Sequence, residues 1–441
     1  MPDPACSAAE VRLPPQPAEN LDVARVLGRI AALLEAQEAS SFHVRACHDA
    51  AAQVRQLREP PPQIVEQRGC AGLEQLPVVT ERRGALAGRR IVRGGEHECG
   101  RQDGVSPRES LPDAAGESAA TVLALRTAAG QLGSEAPIEA IETHLSWVFL
   151  TRCHAYKLKK PARSEHFDYT TVGARRAACE TELQLNRRLA ASVYLGVVPV
   201  RCNGTGRHVE GNGEIVDWLL KMRRLPRDSM LNVCIQRQAV SVGQLMALAQ
   251  VLTRFYAAAP RAGWSGAEYR RTLAARLESK RALLTLPRHE LDPGLVRSVC
   301  EQTERWLERH VDEVAARAPL VREAHGDLRP EHICLEAEPV IIDCLDFDRQ
   351  LRLLDPLSEL AFLDLECRRL GNDWIGPQLA ASYARLAGDA ASLELQHFYA
   401  SYHALIRAGL AVSRTDEPGA DLDKWRARAR SYLEFATPPA L

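Results

Sequence analysis

Residues that could do chemistry crowd into one short stretch, EAHGDLRPEHICL, which spans residues 323–335. It holds two imidazoles, His325 and His332, and the carboxylate of Asp327 between apolar runs. The segment EPVIIDCLDFD follows, and its apolar run predicts a short strand that ends at Asp343. Crowding of this kind marks either a surface loop or a site. As a site, it would offer one carboxylate to a reacting hydroxyl and a second to a divalent cation.

The spacing of these residues matches a kinase catalytic loop. His325-Gly326-Asp327, four further residues and position 332 fit H-x-D-x-x-x-x-N, and Asp343 follows eleven residues later. With HGD in place of HRD, residues 136 to about 415 resemble the aminoglycoside phosphotransferase-like branch of the kinase-like fold. SWVFLTRCHAYKLKKP, ETELQLNRRLAASVYLGVVP and DPLSELAFLDLE share in this resemblance, in the same order along the chain. It covers about two thirds of the sequence.

The resemblance implies an ATP-dependent phosphotransferase that uses Mg²⁺ and a small-molecule acceptor with a hydroxyl group. Asp327 takes the catalytic position beside the acceptor, and Asp343 takes the position of a metal ligand. Lys157, in HAYK, corresponds to the strand lysine that contacts the phosphates of ATP, and Glu182 in the next predicted helix corresponds to its partner. The identity of the acceptor is not encoded in these motifs.

Lysine is rare in this chain, so few lysines are candidates for the cation that contacts the nucleotide phosphates. Of 56 Lys and Arg residues only six are lysines, and three of these are Lys157, Lys159 and Lys160. A compact ammonium group kept where arginine is the usual cation suggests a point-charge role. Lys159 lies on the same strand face as Lys157 and is the alternative nucleotide-binding cation. Glu180 is the alternative to Glu182.

Position 332 departs from the family pattern, because His332 stands where an asparagine would give an oxygen to a metal. Imidazole is a poor ligand for Mg²⁺. Four interpretations stay open: one metal is lost, Glu331 substitutes, a softer ion such as Mn²⁺ is favoured, or the kinase fold is non-catalytic. His332 is retained as a metal-ligand candidate. His144 and Ser146 fall in the turn that would cover the phosphates, where Ser146 could offer its hydroxyl and backbone N–H.

The acidic residues after Asp343 have several interpretations. Asp346 and Asp348 are either second metal ligands or exposed loop acids. Together with Asp364 they could line an acidic cleft for a cationic acceptor. Asp355 and Glu359 are expected to cap and brace the following helix.

Composition sets outer limits on function. The 441 residues predict two to four domains at roughly 100–200 residues each. The chain is 46% hydrophobic and has a net charge of -1, which argues against a strongly basic protein that coats nucleic acid. We find no apolar window long enough to cross a membrane and no signal peptide. The twelve scattered cysteines indicate reduced thiols, so the sequence predicts a cytoplasmic protein.

The predicted fold is α+β: a two-lobed protein kinase-like fold preceded by a small all-α domain. IEAIETHLSWVFL and HAYKLKKP are predicted as two strands joined by a turn at 151–153, and residues 173–191 as a helix. The domain boundaries are a helical domain at 1–93, a linker at 94–135 with one weak helical pattern at TVLALRTAAGQL, an N-lobe at 136–225 and a C-lobe at 226–441.

The segment NLDVARVLGRIAALLEAQEASSFHVRACHDAAAQVRQL resembles the N-terminal helical domain of family X DNA polymerases. The helix-hairpin-helix expected after it has lost the glycines that let backbone amides approach a phosphate. The segment also has no lysine. A helical fold without a DNA role is therefore favoured over DNA binding. The alternative function for the whole chain is a nucleotide-binding pseudokinase whose N-terminal domain docks on DNA or on a repair protein.

Overall fold

The structure is a computed structural model that describes residues 114–127 and 138–436, except positions 165, 205, 390, 417 and 418. The described residues fall into two units: positions 413–425 belong to a first unit, and the other described residues belong to a second, larger one. Within the first unit the description covers only a 3-10 helix, Arg414–Asp416, and the residues around it up to position 425. The predicted N-terminal domain and its polymerase-like segment lie outside the described residues.

The larger unit begins with a helix and an antiparallel sheet. The elements are α1 (Ala114–Thr127), β1 (Glu139–Glu142), β2 (Ser146–Leu150), β3 (His154–Lys159), α2 (Val172–Ala190), β4 (Tyr194–Asn203), β5 (Gly206–Val209) and β6 (Glu214–Arg223). The six strands pair in the order β1-β2-β3-β6-β4-β5. Strand β3 therefore lies inside the sheet, with neighbours on both sides.

The two faces of this sheet have different partners because side chains alternate along β3. Tyr156 and Leu158 pack on one face, in a core that includes Val122 and Leu125 of α1. Ala155 lies on the opposite face, in a core shared with α2 and with the segment after residue 332. Lys157 and Lys159 follow the register of Ala155. The alternation thus turns both lysines away from the apolar α1 core and toward α2.

One local prediction is corrected. The segment IEAIETHLSWVFL forms two strands, β1 and β2, on either side of the turn predicted at His144, because Thr143 closes this turn with its Oγ1 accepting the N–H of Ser146. The weak helical pattern TVLALRTAAGQL is confirmed for its described residues, 121–127, which lie in α1 and whose Val122 and Leu125 join the core of the sheet. The helix predicted at 173–191 is confirmed as α2, whose N-cap Thr171 accepts the backbone N–H of Ala174.

The remaining described elements are mainly helical. They are α3 (Leu231–Gln236), α4 (Val242–Ala258), α5 (Gly266–Leu284), α6 (Pro293–Arg309), α7 (Val311–Arg317), β7 (Arg322–Glu323), β8 (Ile333–Cys334), β9 (Val340–Ile341), α8 (Arg349–Arg352), β10 (Leu353–Leu354), α9 (Pro356–Arg369), α10 (Ile375–Ala387), α11 (Leu393–Ser413) and α12 (Leu422–Ala436). Strand β7 pairs with β10, and β8 pairs with β9. These two short ladders fix both ends of the loop that carries Asp327.

The predicted α+β class is confirmed, with a strand-rich N-lobe followed by a helical C-lobe. The eight cysteines of the described residues are all free thiols, and most of them are buried. No helix in the described part of the chain is both long and apolar enough to span a bilayer.

Candidate active site

A lysine of the sheet joins the two lobes. Lys157 Nζ lies 2.8 Å from Glu182 Oε1 on α2 and 2.6 Å from Asp343 Oδ1, beyond β9. Burial lowers the pKa of Lys157, but the Asp343 and Glu182 carboxylates outweigh it and raise that pKa well above its ordinary value. The ammonium group is therefore always charged, and it is placed between the helix and the loop.

A second lysine repeats this arrangement one pleat further on. Lys159 Nζ lies 2.7 Å from Glu182 Oε2 and 2.5 Å from Asp346 Oδ2. The side chain of Lys159 is only 4% exposed, whereas that of Lys157 is 16% exposed. Burial raises the pKa of Glu182, but the two lysines more than reverse this and hold the pKa below its ordinary value. Glu182 is thus an ionised carboxylate shared by both cations.

The loop around Asp343 is held in an unusual backbone conformation. Asp343 has φ of 61°, in the left-handed region that residues with a Cβ seldom adopt. Its N–H donates to the Tyr194 hydroxyl over 3.0 Å, and the next N–H, of Cys344, donates to Asn186 Oδ1 over 2.9 Å. These bonds fix the loop against α2 and β4, so that the Asp343 carboxylate points back toward Lys157. Neither Asn186 nor Tyr194 was identified from the sequence.

The His-Gly-Asp turn is tied to α9 by a buried carboxylate. Glu359 Oε1 accepts the N–H of Gly326 at 2.6 Å, and Oε2 accepts the N–H of His325 at 3.2 Å. Gly326 has φ of 87°, and a Cβ there would lie 3.0 Å from Arg352. Glycine is thus required by both backbone angle and space. Asp355 caps α9 as expected, but Glu359 braces the loop and not only its own helix.

His325 acts as a structural link in this turn. Its Nε2 lies 2.9 Å from the carbonyl oxygen of Ile342, which can only accept, so Nε2 carries the proton. Its Nδ1 then accepts the N–H of Asp327. Burial and the nearby His332 lower the pKa of His325 to about 4, which keeps the ring neutral. The histidine connects the His-Gly-Asp turn to the strand that leads to Asp343.

Asp327 lies beside two arginines. Its Oδ2 is 3.1 Å from Arg329 Nε, and its Oδ1 is 3.9 Å from Arg407 on α11. The side chain is partly exposed, so an acceptor hydroxyl can reach the carboxylate. Arg407 was missed in the sequence, where it stands in the long helical pattern eighty residues after Asp327.

The structure brings His332 close to Asp343 and also engages both ring nitrogens. Nδ1 lies 2.9 Å from the carbonyl oxygen of Asp327 and must donate to it. Nε2 then accepts from Arg329, 3.0 Å away, and lies 3.4 Å from Asp343 Oδ2. The ring can face a cation at Asp343 only if Arg329 moves away from Nε2. Its role as a metal ligand stays a prediction.

The residues around Asp343 fit a divalent cation that is bound partly by the protein and partly by a nucleotide. No group of three or more His, Cys, Asp or Glu side chains that could hold an ion occurs among the described residues. Mg²⁺ is commonly bound by one or two carboxylates together with substrate phosphates. The Asp343 side chain is 44% exposed and has one oxygen on Lys157, so it can supply such a carboxylate. The site suits an ion that arrives with a nucleotide, without a complete protein cage.

Other candidate residues are engaged elsewhere. Ser146, predicted to contact a phosphate through its hydroxyl and its N–H, is buried, and its N–H donates to Thr143 Oγ1. Only the contact through the hydroxyl stays a prediction. Glu180 pairs with Arg176 on the exposed side of α2, which leaves Glu182 as the partner of Lys157. Glu331 Oε2 is buried without a hydrogen-bond partner among the described residues.

The three acids expected to line a cleft for a cationic acceptor each have a contact of their own. Asp346 pairs with Lys159, and Asp348 contacts His166 and caps α8. Asp364 lies 3.7 Å from Arg368. Each acid is used by a neighbour of opposite charge or by a helix N-terminus, which local spacing in the sequence does not reveal.

A cavity of about 600 Å³ lies at the C-terminal end of α2 and next to α4. Its lining includes Arg188, Phe255 and Pro339. None of the predicted site residues lines it, so it is separate from the group of residues around Lys157.

No family model matches the chain. An uncharacterized protein of Mycobacterium tuberculosis is 32% identical over 317 residues, which are 68% of this chain and 60% of that protein. An uncharacterized protein of Mycobacterium bovis gives the same values. The chain spans about 60% of the length of these curated relatives.

Among solved structures, the chain is similar to a choline/ethanolamine kinase family protein from Mesorhizobium loti. The TM-score is 0.46 and the identity 14%, over 73% of this chain and 96% of that one. An aminoglycoside phosphotransferase from Streptomyces rimosus gives 0.39 and 17%, over 65% and 98%. A Plasmodium vivax ethanolamine kinase gives 0.40 and 10%, over 72% and 85%. All three TM-scores lie below 0.5, so function is inferred from the side chains of this chain alone.

Proposed function

We propose that this protein is an ATP-dependent phosphotransferase that transfers the γ-phosphate to a hydroxyl group of a small molecule. The observation that carries the proposal is the position of Lys157, whose ammonium group contacts both Glu182 and Asp343. In kinases a strand lysine paired with a helix glutamate contacts the phosphates of ATP, and a loop aspartate further along the chain holds the metal. Asp327 lies on the loop that Glu359 braces, within reach of an acceptor.

The proposed chemistry uses positioning and charge more than covalent steps. Lys157 binds the phosphates, and Glu182 holds Lys157 in place. Asp343 would hold Mg²⁺ or Mn²⁺, which neutralises the charge on the phosphates when the nucleotide is bound. Asp327 accepts the proton of the attacking hydroxyl. The contact between Lys157 and Asp343 must loosen for both to engage the Mg·ATP complex.

A second candidate is a nucleotide-binding pseudokinase. It is favoured by one observation, namely that Arg329 occupies the His332 nitrogen that a second metal would need. In this form the protein binds ATP but does not transfer phosphate. The two candidates share the nucleotide site and differ only in turnover.

Two measurements on the full chain separate these outcomes. The melting temperature with excess ATP and Mg²⁺ or Mn²⁺ reports nucleotide binding, because a ligand of the folded state raises it by mass action. ADP release with a panel of hydroxyl compounds reports turnover. A shift together with ADP release that Asp327→Asn abolishes supports the phosphotransferase. A shift without release supports the pseudokinase, and no shift with either ion rejects both.

A further inference from the structure

The charge around Asp327 bears on the nature of the acceptor. Arg329 and Arg407 both reach this one carboxylate, at 3.1 and 3.9 Å. The side chains of the two arginines are 23% and 19% exposed, and that of Asp327 is 27% exposed. All three groups thus reach solvent together. The part of the site that meets an incoming acceptor presents two guanidinium groups and one carboxylate.

Arg407 is held in this position by neighbours that do not cancel the excess of positive charge around Asp327. Its Nε lies 3.3 Å from Glu366 Oε1, and its guanidinium stacks over the rings of Phe362 and Tyr432. Glu366 is buried and also pairs with Arg369 at 3.5 Å. Three arginines therefore face two carboxylates, Asp327 included. Burial lowers the pKa of Arg407, but Tyr432 and Asp327 outweigh this and raise it above its ordinary value.

The acids that could have attracted a cation do not offset this charge. Asp346, Asp348 and Asp364 each have a partner away from Asp327. A cationic acceptor would meet two guanidinium groups and repulsion. An anionic group would meet planar donors that match a carboxylate or phosphate in a two-bond geometry.

We infer that the acceptor is an anionic hydroxyl compound, whose carboxylate or phosphate lies between Arg329 and Arg407 while its hydroxyl faces Asp327. This inference rests on the proposed phosphotransferase function. Binding of the anion draws the guanidinium groups off Asp327, so that the carboxylate becomes available to the hydroxyl proton. Recognition of the anionic group and release of the Asp327 carboxylate for proton transfer then occur in one binding step.

Matched six-carbon probes test this inference on the full chain. Gluconate carries a carboxylate, glucitol 6-phosphate a phosphate, glucitol no charge and glucamine a cation. Their dissociation constants are measured by calorimetry in the presence of Mg·AMPPNP, and those of gluconate, glucitol and glucamine also without nucleotide. We expect at least one anion to bind about tenfold or more tightly than glucitol, since hydrogen bonds to charged groups are the stronger ones. The two anion arms tell which group is preferred.

Variants assign the preference to the two arginines. Arg407→Gln or Arg329→Gln should bring anion and glucitol affinities within about twofold of each other. Because Arg407 contacts a buried carboxylate, its variant could unfold, and Arg329→Gln, at a partly exposed position without a buried carboxylate partner, then gives the result. Arg254→Gln removes an exposed arginine that pairs with exposed Glu338, and it should leave the preference intact.

Two outcomes would overturn the inference. One is that the anions show no advantage: neither binds more tightly than glucitol, or glucamine binds most tightly of all. Failure of every probe to bind counts as this outcome. The other is that the preference survives in both arginine variants. The Mg·AMPPNP melting shift, recorded on the same samples, reports separately on the proposed function, since loss of that shift rejects the nucleotide site and leaves the anion measurement valid.

Discussion

Lys159 Nζ lies 2.7 Å from Oε2 of Glu182, the carboxylate whose other oxygen contacts Lys157. From the sequence, the two lysines were alternatives for a single role. In the structure they share one carboxylate but differ in their second partner, which is Asp346 for Lys159 and Asp343 for Lys157. The buried lysine therefore serves the packing between sheet and loop, and we expect the more exposed one to contact the nucleotide.

This difference predicts opposite effects for two matched substitutions. Lys159→Met should lower the free energy of unfolding by about 3 kcal/mol, because it leaves the Asp346 carboxylate, which is only 13% exposed, without its cation. Lys157→Met should cost less stability but weaken Mg·ATP binding at least about tenfold, since hydrogen bonds to charged groups contribute about 1.5–3 kcal/mol. Urea unfolding and calorimetry measure the two quantities. Equal losses of both in the two variants would show that the lysines are not divided in this way.

Glu359→Gln should loosen the catalytic loop. The amide retains one acceptor oxygen where the carboxylate had two, so the N–H of His325 or of Gly326 loses its partner. A buried donor left unsatisfied costs about 1–3 kcal/mol. The control is Glu290→Gln, which breaks a surface pair with Arg426 and should cost less than about 1 kcal/mol. If the two variants unfold at the same urea concentration, Glu359 is not the brace described here.

His332→Asn tests whether position 332 contributes to the metal site. We expect the wild type to give a larger melting shift with Mn·AMPPNP than with Mg·AMPPNP, because nitrogen ligands suit Mn²⁺ better. An amide oxygen at this position should reduce that difference. The measurement needs only melting temperatures for the two proteins with each ion. The same ion preference in both proteins would show that His332 is not a ligand.

A buried histidine predicts acid sensitivity. Burial, with Arg276 and Arg407 nearby, lowers the pKa of His403 to about 3. In the unfolded chain a histidine titrates near pH 6.5. As pH falls from about 6.5 toward 3, the unfolded state takes up a proton that the folded state rejects, so stability falls through this range. Below about pH 3 this histidine causes no further loss.

The test compares His403→Asn with the exposed control His397→Asn. Urea unfolding between pH 4.5 and 7 should give a shallower dependence of the free energy of unfolding on pH for His403→Asn than for the wild type. The control should follow the wild type. Parallel curves for all three proteins would mean that His403 binds its proton normally in the folded state.

Residue order along the chain was enough to group Lys157, Glu182 and Asp343, because each stands in a recognisable element and the elements follow one another in a known sequence. The structure brings these three into contact. Helix α2 was predicted within a residue or two, since its cap and its apolar spacing are local signals. The functional roles of Lys157, Glu182 and Asp343 stay predictions.

The supporting contacts were not predictable in the same way. Asn186 is 158 positions from Cys344, and Tyr194 is 149 from Asp343, so no local pattern encodes either bond. The turn at His144 was predicted, but the pairing of β1 with β2 around it was not, because the turn depends on the Thr143 hydroxyl and not on glycine or proline. Arg407 lies in the helical pattern of α11, and only the fold shows that it faces Asp327.

Nucleotide binding by Asp343→Asn and Asp327→Asn tests the central claim most directly. The account places Asp343 at the metal and phosphates and Asp327 at the acceptor. Calorimetric titration with Mg·AMPPNP should therefore show Asp327→Asn binding within about twofold of the wild type and Asp343→Asn binding at least about tenfold more weakly. Equal affinity for the two variants, whether both retain the nucleotide or both lose it, would contradict the account.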